Sequence, residues 1–394
     1  MNSARAGSGE VRDVLLVDPS LFTAPYDAAL SAGLEDIGLR PHWAVRQLRA
    51  GEGDDLGRSR STDLFYPLSD GPRRRSGAAG RVLKGIEHVV GMVRLLKLVR
   101  SGRYDLVHFQ WMLLPSIDAR IIARMRRVCP VVLTVHDSTP FNGKQVSGAQ
   151  RHGLSQMLDA ADRIIVHTES AKANLVAQGV APSRLAIVPH GVLTAKRSGV
   201  AEANPRWQIV LFGKLQEYKG VDVLVEAVKL LDPAVRSQLK IIVAGEPMID
   251  MAPLLDNVRA AGLPPELLEF RLFRHSQEEM SEVLGSADAF VFPYRTIDAS
   301  GVLFAVAPLG KWLIASELGA FSDLIGYQGD VGELVTPGGA QQLAQALAAS
   351  IGRKPARDLS AEIPTWSRIA SLTRDVYNSA LLEWQGCRAD PTLN

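Results

Sequence analysis

The chain has 394 residues, more than one hydrophobic core usually serves, so two domains are expected. Hydrophobic residues make up 46% and charged residues 22%, a balance that excludes a disordered chain, and a net charge of +2 gives no electrostatic case for a nucleic-acid partner. The two cysteines, Cys129 and Cys387, make neither a disulfide framework nor a metal-ligand pattern, and no apolar run is long enough to span a membrane.

Short β-rich runs then alternate with longer helix-like ones, the pattern of a parallel α/β sheet. Residues 14–17 read as the first strand and 28–37 as the helix after it. The loop between them, from Asp18 to Asp27, ends on a carboxylate that reads either as the cap of that helix or as a general base. The segment 73–100 is basic, with Arg73, Arg74, Arg75, Arg81, Lys84, Arg94, Lys97 and Arg100. Its apolar side (Val82, Ile86, Val89, Val90, Val93, Leu96 and Leu98) is assigned to the core. A second basic group, Arg120, Arg124, Arg126 and Arg127, follows Pro115. Strands at 106–109, 131–135, 163–166 and 186–188 complete a first Rossmann-like sheet, each a continuous apolar run suited to burial on both faces.

The small, polar stretch 194–205 reads as a linker, after which strands recur at 208–212, 240–244, 269–272, 289–292 and 312–315. A helical pattern closes the chain at 365–384. The division expected is residues 1–195, residues 196–364, and a final helix within 365–386 that crosses back to the first domain. Two such domains facing each other across a cleft place ligands at the carboxyl ends of their strands.

The strongest local signal is strand 208–212 running into Gly213, Lys214, Lys219 and Gly220 ahead of an amphipathic helix. Lysines on a strand–loop–helix unit suit a diphosphate, which needs compact positive charge and free backbone N–H groups. A second candidate is Asp298, Ser300, Gly301 and Val302, just past Pro293 and Tyr294, where small residues let the backbone approach a ligand and Ser300 reads as a helix cap. No G-x-G-x-x-G follows the first strand, which excludes a Rossmann dehydrogenase.

The segment at 213–220 resembles the G-[RK]-x(4)-KG element of glycosyltransferase family 4 and related GT-B enzymes. Further pieces occur in family order: DLVHFQW (105–111), LTVHD (133–137), ADRIIVHTES (161–170), IVPHG (187–191), IIVAGE (241–246), ADAFVFPYRTIDASGVL (287–303) and WSRIASLTRDVY (366–377). The resemblance implies an α/β GT-B fold and a hexosyltransferase that needs neither metal nor cofactor and takes a UDP- or GDP-linked sugar. It implies that Lys214 and Lys219 grip the donor diphosphate, that His136 lies by the donor sugar, and that Phe273 and Arg274 face the nucleotide; His136 and Asp137, ending a buried strand, read either as the catalytic general base for the acceptor hydroxyl or as a structural pair pinning a loop. Tyr294 packs on the donor or lines the cleft, and Asp298 takes the first of the family's two acidic positions. The second acidic position falls on Ala305 or Val306, which marks a divergent branch of the kind found in bacterial polysaccharide assembly.

The expected activity is transfer of a sugar to a lipid-linked glycan acceptor in exopolysaccharide or surface-glycan synthesis. The expected place is cytoplasmic, on the inner face of the plasma membrane through the basic segment 73–100. A nucleotide-sugar epimerase or hydrolase on the same fold, or a non-catalytic GT-B partner protein, stand as the alternatives.

Overall fold

The computed structural model describes residues 10–49, 52–70, 77–138, 148–193 and 205–389. The chain forms two compact units. Residues 1–138, 145–191 and 364–394 make the first, and residues 192–363 make nearly all of the second. Arg73, Arg74 and Arg75 lie outside the described residues, as does the linker read at 194–205 apart from Pro205.

The first unit is built on seven strands: β1 (Asp13–Asp18), β2 (Arg40–Arg46), β3 (Ser61–Phe65), β4 (Leu106–Phe109), β5 (Val131–Thr134), β6 (Arg163–Val166) and β7 (Leu185–Ile187). They pair in the order β3-β2-β1-β4-β5-β6-β7, every pair parallel. The central strands β4 and β5 are wholly buried, as continuous apolar runs in a two-faced sheet must be. Strands β2 and β3 carry Arg40, Pro41, His42 and Asp63, so neither announces itself as an apolar run. The order reverses between β1 and β4, and the crevice beyond the carboxyl ends of those two strands is where such sheets hold ligands.

The first helix spans Ala24–Asp36, starting earlier than its apolar pattern suggests because Pro25 fits the first helical turn, where its missing N–H costs nothing. The cap position is Thr23, so Asp27 is not a cap; it lies in the first turn. The closing helix, Trp366–Ala389, belongs to this unit. Its Ile369, Ala370, Tyr377 and Ala380 share one core with Val14, Leu16, Leu30 and Leu34.

Helix Gly77–Val99 divides its apolar residues in two. Met92, Leu95, Leu96 and Val99 enter the core, whereas Val82 (64% exposed), Ile86, Val90 and Val93 face solvent. The expectation that the whole apolar side is core is corrected here. A 23-residue helix with an apolar residue on nearly every bearing cannot bury all of them against one sheet. The exposed stripe runs at three- and four-residue spacing and continues onto Lys97 and Arg100, both exposed.

The second unit holds β8 (Trp207–Phe212), β9 (Leu239–Ala244), β10 (Leu268–Arg271), β11 (Ala289–Phe292), β12 (Trp312–Ser316) and β13 (Gly332–Val335). They pair in parallel as β10-β9-β8-β11-β12-β13, with the reversal between β8 and β11. Among the described residues no helix is long and apolar enough to cross a membrane.

Candidate functional site

In the second unit, β8 ends at the reversal point and runs into Gly213, whose φ of 119° suits only glycine. A short 3-10 turn, Glu217–Lys219, leads to Gly220 and helix Val221–Leu230. Gly220 has φ 65°, and a Cβ there would lie 1.9 Å from the Pro293 carbonyl oxygen, so the loop after β8 presses directly on the segment after β11. Arg295 ties the same two segments together. Its backbone N–H donates to the Tyr218 carbonyl at 2.7 Å and its guanidinium pairs with Asp222 at 2.5 Å.

That arrangement buries Lys219, which is only 4% exposed. Its Nζ donates to the phenol oxygen of Tyr294, which is fully buried. The Tyr294 phenol also hydrogen-bonds the Ser300 hydroxyl. Gly213 and Val302 close on the same point: a Cβ at Gly213 would stand 3.2 Å from Lys219 Nζ and 3.3 Å from a Val302 methyl. Lys219 makes no ion pair among the described residues. Burial therefore pulls its pKa below the ordinary lysine value, and burial raises that of the Tyr294 phenol.

The other residues expected here fall around this centre. Lys214 is exposed, so the two lysines differ in kind. Ser300 occupies the cap position of helix Gly301–Val306, but its hydroxyl makes no cap hydrogen bond, being bonded to Tyr294 instead. Asp298 is buried, and its carbonyl accepts from the Ala320 N–H at 2.8 Å. Ala305 is half-buried and Val306 is in the core, so no carboxylate stands at the second acidic position. Arg274 is exposed, and Phe273 (47% exposed) stacks on His275 with ring centroids 4.2 Å apart, while His275 meets Phe212 edge-on. His275 is a residue that motif reading passed over. A flat aromatic tier beside the end of β8 suits a nucleobase, whose faces stack well on such rings.

In the first unit, His136 follows β5 near the reversal point. Its ring stacks on Trp111 at 5.0 Å and 15°, and Tyr26 meets it edge-on at 5.2 Å. Nδ1 of His136 lies 3.1 Å from Nε2 of His167, and Nε2 of His136 lies 3.0 Å from the Gln110 side-chain amide. His167 in turn donates from Nδ1 to the Val188 carbonyl at 2.9 Å. His190 donates to the Gly191 carbonyl, and His108 is bonded to Tyr377 and Thr134, each at 2.7 Å. Burial pushes His136 well below the ordinary imidazole range, and His108 and His190 down to about 3, so all three rings are neutral at physiological pH. Asp137 is half-buried beside this group.

Asp27 does not face solvent. It is 0% exposed, accepts from the Thr23 hydroxyl at 3.3 Å and shares a hydrogen bond with Asp18. Burial first, and then the Asp18 charge, raise its pKa well above the ordinary carboxyl value. Asp27 thus sits buried beside Asp18 and Thr23 at the foot of the loop after β1, in the first turn of the helix and not at its cap.

The profile of glycosyltransferase family 4 matches residues 29–196, and that of glycosyl transferases group 1 matches residues 206–352. A D-inositol 3-phosphate glycosyltransferase of Mycobacterium sp. (strain JLS) is 28% identical over 257 residues, 58% of this chain and 55% of that protein. The match thus spans little more than half the length of that relative. One of the same name from Mycobacteroides abscessus is 26% identical over 328 residues, covering 75% of this chain and 70% of the relative. Anabaena HepE in complex with UDP-glucose superposes with a TM-score of 0.64 at 17% identity, covering 95% of this chain and 99% of that one, a likeness of fold.

Proposed function

We propose that this chain, which belongs to the family 4-like GT-B glycosyltransferases, moves a sugar from a nucleotide-diphosphate donor to a lipid-linked glycan acceptor. The single observation that carries the reading is Lys219: a lysine packed away from water, at the reversal point of a doubly wound sheet, with a neutral phenol as its partner and no carboxylate paired with it among the described residues. A buried cation without a counter-ion is costly, and a bound diphosphate supplies the missing charge. The same contact strengthens as the sugar–phosphate bond breaks and negative charge gathers on the leaving diphosphate, so it accelerates transfer as well as binding. Lys214 adds a second charge from the exposed side of the loop, and on this reading the lysines carry the load that a metal would otherwise take.

The stack of Phe273 on His275 receives the base, and the complex of HepE with UDP-glucose supports a uridine nucleotide. His136, at the end of β5, is assigned to the acceptor side of the reaction. The exposed stripe Val82, Ile86, Val90 and Val93, leading into Lys97 and Arg100, favours docking on an anionic bilayer and hence a lipid-linked acceptor at the inner face of the membrane. The relatives named for D-inositol 3-phosphate support a small phosphorylated polyol as the second acceptor class.

The test is a panel of UDP-, GDP- and dTDP-sugars screened for thermal stabilisation of the full chain. One nucleotide class is expected to stabilise it, and Lys219→Met is expected to remove the effect. A shift that survives in the variant places the diphosphate elsewhere.

A further inference from the structure

We propose that Glu246 binds the ribose of the donor, accepting hydrogen bonds from its vicinal hydroxyls and so selecting a ribonucleotide. The inference rests on the nucleotide site proposed above and names the group that reads its sugar. A nucleoside diphosphate is a fixed sequence of base, ribose and phosphates. A chain that stacks the base on Phe273 and His275 and grips the diphosphate with Lys219 must therefore hold the ribose between them. Two consecutive residues span that interval. Phe212 meets His275 edge-on at 5.6 Å, and Gly213 lies against Lys219, where a Cβ would stand 3.2 Å from Nζ. The ribose accordingly lies over the end of β8.

Glu246 stands beside that point. Strand β9 pairs with β8 on one side and β10 on the other, and the turn that leaves β9 is fastened to both neighbours. The Leu215 N–H donates to the Glu246 carbonyl at 2.8 Å, the Met248 N–H donates to the Leu215 carbonyl at 2.9 Å, and the Gly245 N–H donates to the Arg271 carbonyl at 3.0 Å. Gly245 has φ 147°, and a Cβ there would fall 1.8 Å from the Gly213 carbonyl oxygen, so this turn is pressed onto the lysine loop. Glu246 is thus held between the loop of Lys219 and the strand that runs into Phe273. It is half-buried, and its side chain makes no hydrogen bond or ion pair among the described residues. The neighbouring acids are occupied: Glu269 pairs with Arg271 at 2.6 Å and Lys240 at 3.0 Å, and Asp250 accepts from the Ala252 N–H at 3.0 Å. Ala305 and Val306 have no acceptor atom in their side chains. Hydroxyls donate and a carboxylate only accepts, so its two oxygens match two vicinal hydroxyls, and such charge-assisted bonds are the strong ones.

The test is calorimetric binding of UDP and GDP, each against its 2′,3′-dideoxy form, with inorganic diphosphate as the control. It is run on the full chain and on its Glu246→Ala and Glu246→Gln variants. In the parent, the nucleotide that binds should lose about 10- to 100-fold in affinity when its two hydroxyls are removed. In Glu246→Ala that preference should disappear, and Glu246→Gln, which keeps one acceptor oxygen, should lie between. Inorganic diphosphate should bind both variants no more weakly than the parent, which also shows that they fold. A Glu246→Ala variant that keeps the parent's preference for the ribonucleotide overturns the proposal. So does a parent that binds a nucleotide and its dideoxy form alike, although the diphosphate grip then stands. A parent that binds neither nucleotide nor diphosphate overturns the donor site itself, and this inference with it.

Discussion

The two units present their carboxyl-end crevices in opposite chemical styles. In the second, Lys219 is packed against Tyr294, which in turn bonds Ser300, and makes no ion pair among the described residues. In the first, His136, His167 and His190 gather around Tyr26, and burial lowers the pKa of His136 and His190 so that these two rings are neutral. Among the described residues one crevice holds a buried lysine that makes no ion pair, and the other a set of packed imidazole rings.

The contrast breaks most directly at Lys219. A charge-assisted hydrogen bond contributes ~1.5–3 kcal/mol, so Lys219→Met should weaken binding of UDP, measured by calorimetry, about 10- to 100-fold. The same variant should melt no lower than the parent without ligand, since it removes a buried unpaired cation. In the parent, UDP affinity should fall as pH rises through the lowered pKa of Lys219, because the bound state needs the proton that the free amine gives up. A variant that binds UDP like the parent would falsify the reading of the second crevice.

Next in size is the exposed stripe of the first unit. Ile86→Asp with Val90→Asp should cut flotation on phosphatidylglycerol vesicles by about tenfold or more while leaving UDP binding untouched. Unchanged flotation would remove the membrane from the account. A smaller effect belongs to Phe273→Ala. Aromatic stacking adds ~0.5–1.5 kcal/mol, so UDP should bind about 2- to 10-fold more weakly and inorganic diphosphate should bind as before. Equal losses for both ligands would mean that Phe273 does not meet the base.

The smallest effect tests the neutral style of the first unit. Asp27 has its pKa raised in the folded chain, so folding takes up a proton there. The stability this brings is present below the unfolded carboxyl pKa and is lost as pH rises through the folded one. Asp27→Asn should therefore flatten that decline in a melting-temperature profile across the acidic-to-neutral range. A profile parallel to the parent's would show that Asp27 is ionised in the fold.

Much of the architecture was legible because central parallel strands are continuous apolar runs, as in VVLT of β5 and AFVF of β11. The strands that escaped notice, β2, β3 and β13, carry charge or proline, or are only partly buried, and their identity depends on the neighbours they pair with. Lys219 was legible from its spacing to Gly213, but its burial was not, because that depends on Tyr294 arriving from the other side of the sheet's reversal. Asp27 failed for the opposite reason: a carboxylate near a helix start usually caps it, and Pro25 moved the start. The histidines of LTVHD, VHTES and VPHG were visible one by one, yet periodicity cannot show that strand ends in parallel register bring them within 6 Å of a shared tyrosine or of each other.

The closing helix sets a timetable for synthesis. Ile369, Ala370 and Tyr377 complete the core that holds β1 and the first helix, yet they leave the ribosome after the whole second unit. The second unit can therefore close while the first still exposes the face of Leu30 and Leu34, and His108 waits for its Tyr377 partner until translation ends. The nascent chain thus passes through a stage in which all strands of the second unit are available and the core of the first still lacks its closing helix.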